Sequence, residues 1–567
     1  MALSTTATST SREHSLEQAD PVRQQEHSTA PSNDSSQKYT HDVKQQPTDQ
    51  VSTEEEHKWV TGVPLITIMG AICLVCFLML LDISIIVTAI PQITSDFSSL
   101  QDVGWYGSAF QLASAALLPL TGSLYVNFDS KWTFLAFFAV FELGSLLCGV
   151  ATSSEMLIVG RAVAGMGTSG IQNGAFTIIA ECVPMPKRPA LIGFVMGVSQ
   201  LGLVVGPLVG GAFTEYTTWR WCFYINLPIG GLVAAALFFV KVPRPVAKPK
   251  ALTVFRTLPK KLDLLGFAIF APAAIQLLLA LQYGGNQFAW NSATIIGLFC
   301  GAGATFVVFV AWEYYKGDAA MIPLPMLGKR TVWASSLVYG FLMSQMFTTS
   351  YYLPIYFQGV KDVSPTLSGV YLLPMILSQL FLAIGAGTLV GKLGYYLPFS
   401  LLSGVLLAIG NGLVSTFTPG TSTGRWIGYQ ILLGAGGGVG LQMPIIAVQN
   451  TLPPQQIPIA MALIMFSQTF GGAMFLSFSA TIFTNSLNSL IAQYAPLVDP
   501  ETIIAAGATG FWNVVSGDDL ANVLVAYAES VARVFYLTAS AGVCCFVFAW
   551  GMGWKDIRNK ENEASKV

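Results

Sequence analysis

Beyond a polar opening stretch, apolar runs of about 20 residues recur along the chain, separated by shorter segments that hold most of the charge. Wound as an α-helix at about 1.5 Å per residue, such a run covers a hydrocarbon core roughly 30 Å thick. The pattern predicts fourteen membrane spans, at 63–90, 103–125, 132–150, 156–180, 190–213, 221–240, 262–283, 293–312, 332–357, 367–390, 395–417, 426–448, 457–483 and 531–554. Residues 1–58 contain Ser, Thr, Gln, His and charge without an apolar run, which predicts a disordered tail. That tail lacks the basic start and apolar core of a signal peptide, so the first span is expected to serve as the insertion signal.

Composition removes the soluble alternatives. Apolar residues make up 53% of the chain and charged residues 10%, with a mean hydropathy of +0.59, whereas a soluble protein carries about 25% charged residues. With 28 Lys and Arg against 30 Asp and Glu, nothing points to a nucleic-acid partner, and 54 glycines fit closely packed membrane helices. All four histidines (His14, His27, His41, His57) lie ahead of the first span, which leaves no imidazole in the membrane body for metal ligation, haem or a catalytic triad. Cys73 and Cys76 have redox-motif spacing, but within an apolar run packing is the expected role.

Lys and Arg are retained on the cytoplasmic side of a membrane. Placing both termini inside gathers Lys131, Lys187, Arg188, Lys316, Lys329, Arg330, Lys392, Lys555 and Arg558 there, together with the basic stretch 241–261; Arg220 and Lys361 are nearly alone opposite. The longest outer segment, 484–530, carries Asp499, Glu501, Asp518, Asp519 and Glu529 with no Lys or Arg, and Asp518 is a candidate cap for a helix leading into the last span. It reads as a solvated cover or as a lid over the exit.

Three features within the spans carry chemistry. Span 1 ends Leu81-Asp82…Ala89-Ile90-Pro91, with a carboxylate about nine residues from its outer end. A carboxylate at that depth must be protonated or paired, and either condition makes Asp82 a candidate proton carrier. Span 4 holds a deep basic residue, Arg161, on one helical face with Gly165, Thr168 and Gln172, which makes it the expected partner of Asp82. Span 5 reads Gly202…Gly206-Pro207…Gly210-Gly211, a glycine stripe for close helix contact with a proline that bends the helix.

These motifs resemble those of the major facilitator superfamily, and within it the fourteen-span drug:proton antiporter branch. Leu81-Asp82…Pro91, Arg161…Gly165 and Gly202…Gly206-Pro207…Gly210-Gly211 are similar to its span-1, span-4 and span-5 antiporter motifs. Trp219-Arg220-Trp221…Asn226-Leu227-Pro228 is similar to its lead into span 6. Gly434…Gly440-Leu441-Gln442 and Ser467-Gln468…Gly472 resemble the fungal toxin and multidrug efflux pumps. After span 2, Gly122-Ser-Leu124-Tyr-Val126-Asn-Phe-Asp129-Ser-Lys131 departs from the wider pattern, which has an acid where Val126 stands. Asp129 and Lys131 are then either substitutes for that acid's latch or ordinary loop charges.

The resemblance implies an all-α membrane fold with two six-helix bundles in parallel pseudo-repeat plus an inserted helix pair. It divides the chain into a cytoplasmic tail (1–58), an N-terminal bundle (59–240), a basic linker with the inserted pair (241–330), a C-terminal bundle (331–554) and a cytoplasmic tail (555–567). Registering Pro354 on Pro91 sets Gln345 against Asp82. Registering Gly434 on Gly165 sets Gln430 against Arg161, and Ser467-Gln468 falls on Ser199-Gln200. The coupling charges thus become amides in the second half, and Gln172, Gln200, Gln345, Tyr351, Tyr352, Gln430, Gln442 and Gln468 are candidate substrate contacts or helix-to-helix hydrogen bonds. Glu142, near the middle of span 3, fits neither set.

The expected activity is proton-coupled export of small amphipathic molecules such as drugs, toxins or secondary metabolites. Import of siderophores or basic amino acids on the same fold is the alternative. The expected partners are the lipid bilayer, the small-molecule substrate and protons. No cofactor and no metal are expected, a monomer suffices, and the protein is placed in the plasma membrane, with the vacuolar membrane as the other location. No cluster of residues supports an enzyme.

Overall fold

The computed structural model describes residues 59–97, 102–242, 262–285, 288–317 and 320–558. The expectations for the tail 1–58, for most of the 241–261 linker and for residues 559–567 lie outside the described residues. The long helices are α1 (Val63–Phe97), α2 (Val103–Asn127), α3 (Ser130–Gly149), α4 (Ser154–Cys182), α5 (Arg188–Tyr216), α6 (Asn226–Phe239), α7 (Leu264–Tyr283), α8 (Ala293–Lys316), α9 (Arg330–Gly359), α10 (Leu373–Leu393), α11 (Leu397–Val414), α12 (Thr423–Gly440), α13 (Ile457–Tyr494) and α14 (Asp518–Ala549). Among the described residues there is no β-strand. Their starts follow local chemistry: the side chains of Asp129, Ser153 and Ser292 accept hydrogen bonds from the first free backbone N–H groups of α3, α4 and α8.

Twelve of the described helical segments are long and apolar enough to cross a membrane. The two long helices outside that set are α4 and α9, of 29 and 30 residues. Length is not what they lack. Arg161, Thr168, Gln172 and Asn173 dilute α4, and Ser335, Ser344, Gln345, Thr348 and Thr349 dilute α9. All of these except the half-buried Gln172 are buried among neighbouring helices, so these two helices need no apolar surface for lipid on that side.

Pairing between helices repeats along the chain. The neighbours α1–α5, α2–α4, α3–α4, α3–α6 and α1–α6 have counterparts in α9–α13, α10–α12, α11–α12, α11–α14 and α9–α14. The repeat extends to single glycines. A Cβ at Gly165 would strike the backbone of Phe110 on α2, and one at Gly167 would lie 2.6 Å from Phe141 Cα on α3. In the second set, a Cβ at Gly434 would strike the backbone of Met375 on α10, and one at Gly436 would lie 2.9 Å from Leu407 N on α11. The two sets meet along α5–α10 and α2–α13, and α7 packs over α2 and α13 with α8 outside it.

Lys131, Arg188, Arg330, Lys392 and Arg558 cluster at one end of the helices, linked by Lys131 to Val240 O (2.7 Å), Arg330 to Trp550 O (3.2 Å) and Arg558 to Lys392 O (3.2 Å). At this basic end the two sets touch through glycines. A Cβ would lie 2.6 Å from Ala383 O at Gly193, 2.5 Å from Pro189 O at Gly387, and 2.8 Å from Ile459 Cα at Gly122, and at Gly391 it would strike Pro186 O. Asp129 caps α3, and Lys131 donates to Phe238 O and Val240 O at the end of α6.

At the opposite end, helices continue past the apolar runs. α13 extends to Tyr494 and α14 begins at Asp518, so the predicted 484–530 segment contracts to 495–517 and contains a further helix, Pro500–Gly510. Hydropathy marks only the membrane portion of a helix; beyond it, packing sustains the helix. Phe511 stacks near Tyr527 (5.1 Å between ring centroids), and Trp512 Nε1 donates to Gly359 O (2.9 Å). The segment is folded, and it is attached to the ends of α9 and α14. Gly517, at φ 70°, takes the cap position of α14, and Asp518 is the first helical residue rather than the cap.

Candidate functional site

Asp82 and Arg161 meet, as their positions in the apolar runs predicted. Asp82 on α1 is 0% exposed and Arg161 on α4 is 1% exposed, and Arg161 Nη1 donates to Asp82 Oδ2 in a buried ion pair. An isolated ion there would be prohibitively costly, so the remaining polar atoms are satisfied as well. Arg161 Nε donates to Tyr106 O on α2 (2.9 Å), and its guanidinium lies 4.4 Å from the centre of the Phe110 ring. Asn226 Nδ2, at the first turn of α6, donates to Asp82 Oδ1 (3.2 Å) and to Ser145 Oγ on α3 (3.1 Å). The acid is therefore held by α1, α3, α4 and α6 together, with α2 behind the arginine.

The α5 stripe sits on the same turn of α1. A Cβ at Gly202 would lie 2.8 Å from Leu81 N. One at Gly206 would strike Ser84 Oγ, and one at Gly210 would lie 2.5 Å from both Ile85 O and Thr88 Oγ1. Ser84 Oγ donates to Gly202 O (3.0 Å) across the contact. Gly211 and Pro207 stand outside it: a Cβ at Gly211 meets nothing within 4 Å, and Pro207 is half-buried within a helix that continues through it. Beside Gly165 the α2 backbone at Phe110 packs directly onto α4.

The amides of the second half separate into different environments. Gln345, at the place of Asp82, is 1% exposed. It accepts from Asn411 Nδ2 on α11 (2.9 Å) and donates to Cys545 Sγ on α14 (3.7 Å). Thr538 on α14 donates to Asn411 Oδ1 (2.9 Å). This cluster of α9, α11 and α14 is the neutral counterpart of Asp82, Ser145 and Asn226, and its bonds join the three helices. Gln430, at the place of Arg161, is 0% exposed, and neither its Oε1 nor its Nε2 has a partner. Its side chain is shorter than that of the arginine it parallels, and it makes no pair with Gln345.

Gln442 is also buried, donating to Ala383 O (2.8 Å). Tyr352 is buried against Phe483 (5.7 Å), whereas Tyr351, predicted beside it in the cavity, is 64% exposed; consecutive helical residues point about 100° apart. Gln172 on α4 and Gln468 on α13 do come together, Gln172 Nε2 donating to Gln468 Oε1 at 3.4 Å, and both are half-buried, as is Gln200. A cavity of about 350 Å³ lies elsewhere, bordered by Trp290, Phe478, Thr481, Ile482 and Leu537, and none of the predicted residues lines it.

Asn226, Ser145 and Tyr106 were missed as members of the site. Asn226 stood inside the Trp219-to-Pro228 motif, whose other function is visible here: Trp219 Nε1 donates to Asp96 Oδ2 (2.8 Å) and Arg220 Nη2 to Ala151 O (2.9 Å), fixing the start of α6 against the ends of α1 and α3. Ser145 carries no sequence signal beyond being polar in an apolar run. Tyr106 contributes a backbone carbonyl, which no sequence pattern reports.

Comparison with known proteins agrees with this architecture. Residues 72–476 match the Major Facilitator Superfamily. The chain is 67% identical over 503 residues to the MFS-type transporter pigP of Monascus ruber, covering 89% of this chain and 88% of that one. It is 53% identical over 519 residues to the efflux pump mlcE of Penicillium citrinum, covering 90% and 94%. Among solved structures it resembles the human organic anion transporter MFSD10 (TM-score 0.56, 12% identity, 86% of this chain and 100% of that one) and the proton:xylose symporter XylE (TM-score 0.55, 14% identity, 88% and 98%), likenesses of fold. The chain is a multi-pass membrane transporter, not an enzyme, and it belongs to the major facilitator superfamily.

Proposed function

We propose that the chain is a proton-coupled antiporter that exports small amphipathic molecules by alternating access across a plasma membrane, with both termini cytoplasmic. The observation that carries this reading is the ion pair between Asp82 and Arg161, buried where the glycine stripe of α5 rests on α1. A proton arriving on Asp82 neutralises the acid, releases Arg161 and loosens the contact among α1, α4 and α6, so protonation and helix packing are one event. That mlcE and a further relative, mokI of Monascus pilosus (52% identical over 510 residues, 88% of this chain and 94% of that one), carry the name efflux pump supports the direction of transport. All fourteen long helices cross the membrane in this reading, α1–α6 and α9–α14 forming two bundles that rock about the α5–α10 and α2–α13 contacts, with α7 and α8 as an inserted pair. Gln172 and Gln468, which meet between the bundles, are the substrate contacts.

The test is proton release on adding a neutral amphipathic dye, Nile red, to the protein in reconstituted vesicles. The wild type is expected to release protons, and Asp82→Asn to bind dye while releasing markedly fewer. The double variant Asp82→Asn/Arg161→Gln, which removes both charges, is expected to behave as the single one. Proton release by either variant at the wild-type level would sink the reading.

A further inference from the structure

Glu142 lies on α3 with both carboxyl oxygens buried and without a hydrogen-bond partner. Its place relative to the ion pair follows from two facing helices. On α3, Ser145 stands three residues beyond Glu142; on α6, Asn226 stands four residues before Gly230. Ser145 and Asn226 are hydrogen-bonded to each other (3.1 Å), and the Glu142 carboxyl packs onto Gly230, where a Cβ would lie 3.1 Å from Oε2 and closer still to Oε1. These are two adjacent rungs between the same helices, about one helical turn (roughly 5 Å) apart. The upper rung is bonded to Asp82 through Asn226, and the lower rung is Glu142. Gly230 is the residue that makes room for the acid.

Among the described residues, the charged and titratable groups facing this position leave it without a free cation. From α1 comes Asp82 and from α4 Arg161, already joined to each other. The short helix Trp221–Tyr224 presents the Tyr224 ring against Gly149, and α6 presents only Asn226 and Gly230. An ionised carboxylate without counter-ion or donor is strongly disfavoured in such a place, and a second negative charge on the rung next to the one that holds Asp82 is disfavoured further. The neutral acid is a different matter: it carries an O–H donor, and Asn226 Oδ1, buried and without a partner, is an open acceptor on the neighbouring rung.

We propose that Glu142 is a second proton-binding site of the transporter, joined to Asp82 through Asn226 and Ser145, and that it holds a proton while Asp82 is ionised against Arg161. The two carboxyls form one coupled system: ionising either raises the cost of ionising the other, so protons leave in two steps that belong to the pair. This inference rests on the proton-coupled reading for its role in transport, but not for the bound proton itself.

Two measurements separate the levels. Purified full-length protein is treated at neutral pH with dicyclohexylcarbodiimide, which reacts with protonated carboxyls in apolar surroundings, and the adducts are mapped by peptide mass spectrometry. An adduct on Glu142 and none on Asp82 is expected. Infrared spectra recorded through a pH titration are expected to show the C=O band of a neutral acid, lost in Glu142→Gln and restored in Glu142→Asp. In vesicles, Glu142→Gln is expected to lower Nile red-triggered proton release by about half, one of the two titration steps being gone. An unlabelled Glu142 together with a Glu142→Gln titration identical to wild type would overturn the inference. Labelled Glu142 in a wild type that releases no protons would instead uphold the bound proton and overturn the antiport reading.

Discussion

Replacing Asp82 with asparagine is expected to destabilise the protein by an amount that the surroundings of Arg161 determine. Breaking a buried ion pair from one side costs about 3–5 kcal/mol, because the remaining charge is left uncompensated. Arg161 keeps two of its interactions, the hydrogen bond to Tyr106 O and the contact with the Phe110 ring. The amide oxygen of the new asparagine can still accept from Nη1, at roughly half the strength of a charge-assisted bond. The net cost is therefore about 2–3 kcal/mol. Removing the arginine too should return most of it, since Asp82→Asn/Arg161→Gln leaves only neutral amides, which is the composition of the equivalent place in the second half, where Gln345 and Gln430 stand buried. Thermal unfolding in detergent, followed by intrinsic fluorescence, compares wild type, both single variants and the double. A single variant as stable as wild type, or a double variant no better than Asp82→Asn, would refute the account of the pair as a charge buried with its own counter-charge.

Gly206→Ala should cost about 1–3 kcal/mol through its collision with Ser84, whereas Gly211→Ala, with open space around it, should stay within about 0.5 kcal/mol; thermal unfolding of the two variants tests the contrast. Cysteines introduced at Ser364 and Ser422 should react with an impermeant thiol reagent in intact cells, while one beside Lys250 should not, and labelling of the linker would invert the proposed orientation. Arg558 holds the Asp556 carboxyl below the usual carboxylate range through a hydrogen bond. The clasp in which Ile557 N donates to Gly394 O (2.9 Å) is then fully supported above that range and loses support as pH falls through the lowered value. Hydrogen-exchange protection at 553–558, taken relative to the intrinsic exchange rate at each pH, should fall on acidification in the wild type and lose that dependence in Asp556→Asn.

The sequence made the ion pair legible for a simple reason: a carboxylate and a guanidinium within apolar runs have few ways to exist except together. The repeat register was legible too, because the glycines used for it, Gly165 with Gly434 and Gly167 with Gly436, make equivalent backbone contacts. What the register could not report is reach. Gln430 occupies the place of Arg161 but is shorter, and it ends without a partner; Gln345 instead bonds to Asn411, on a helix no pattern had connected to it. For both, the sequence left substrate contact and helix-to-helix hydrogen bonding open, because polarity does not distinguish a group facing a passage from one joining two helices. The helices α4 and α9 illustrate the same limit at larger scale: burial among neighbours relaxes the demand for apolar residues, so hydropathy is weakest where a helix is most central.

The glycines where the two sets of helices meet at the basic end have a mechanical consequence. Gly122, Gly193, Gly387 and Gly391 bring backbone against backbone, so the faces there are smooth rather than interlocked. Each long side chain frozen in a joint costs about 0.5–1.5 kcal/mol of rotamer freedom every time the joint forms, and must be disentangled every time it parts. At these four glycines there is little to freeze, while long side chains cross the joint beside them: Arg188 Nη1 donates to Gln449 Oε1 (3.5 Å) and Gln449 Nε2 to Phe176 O (3.5 Å). In the proposed alternating-access cycle the backbone faces at these glycines part without unthreading a side chain, so the bonds of Arg188 and Gln449 are what each opening must break and each closing remake.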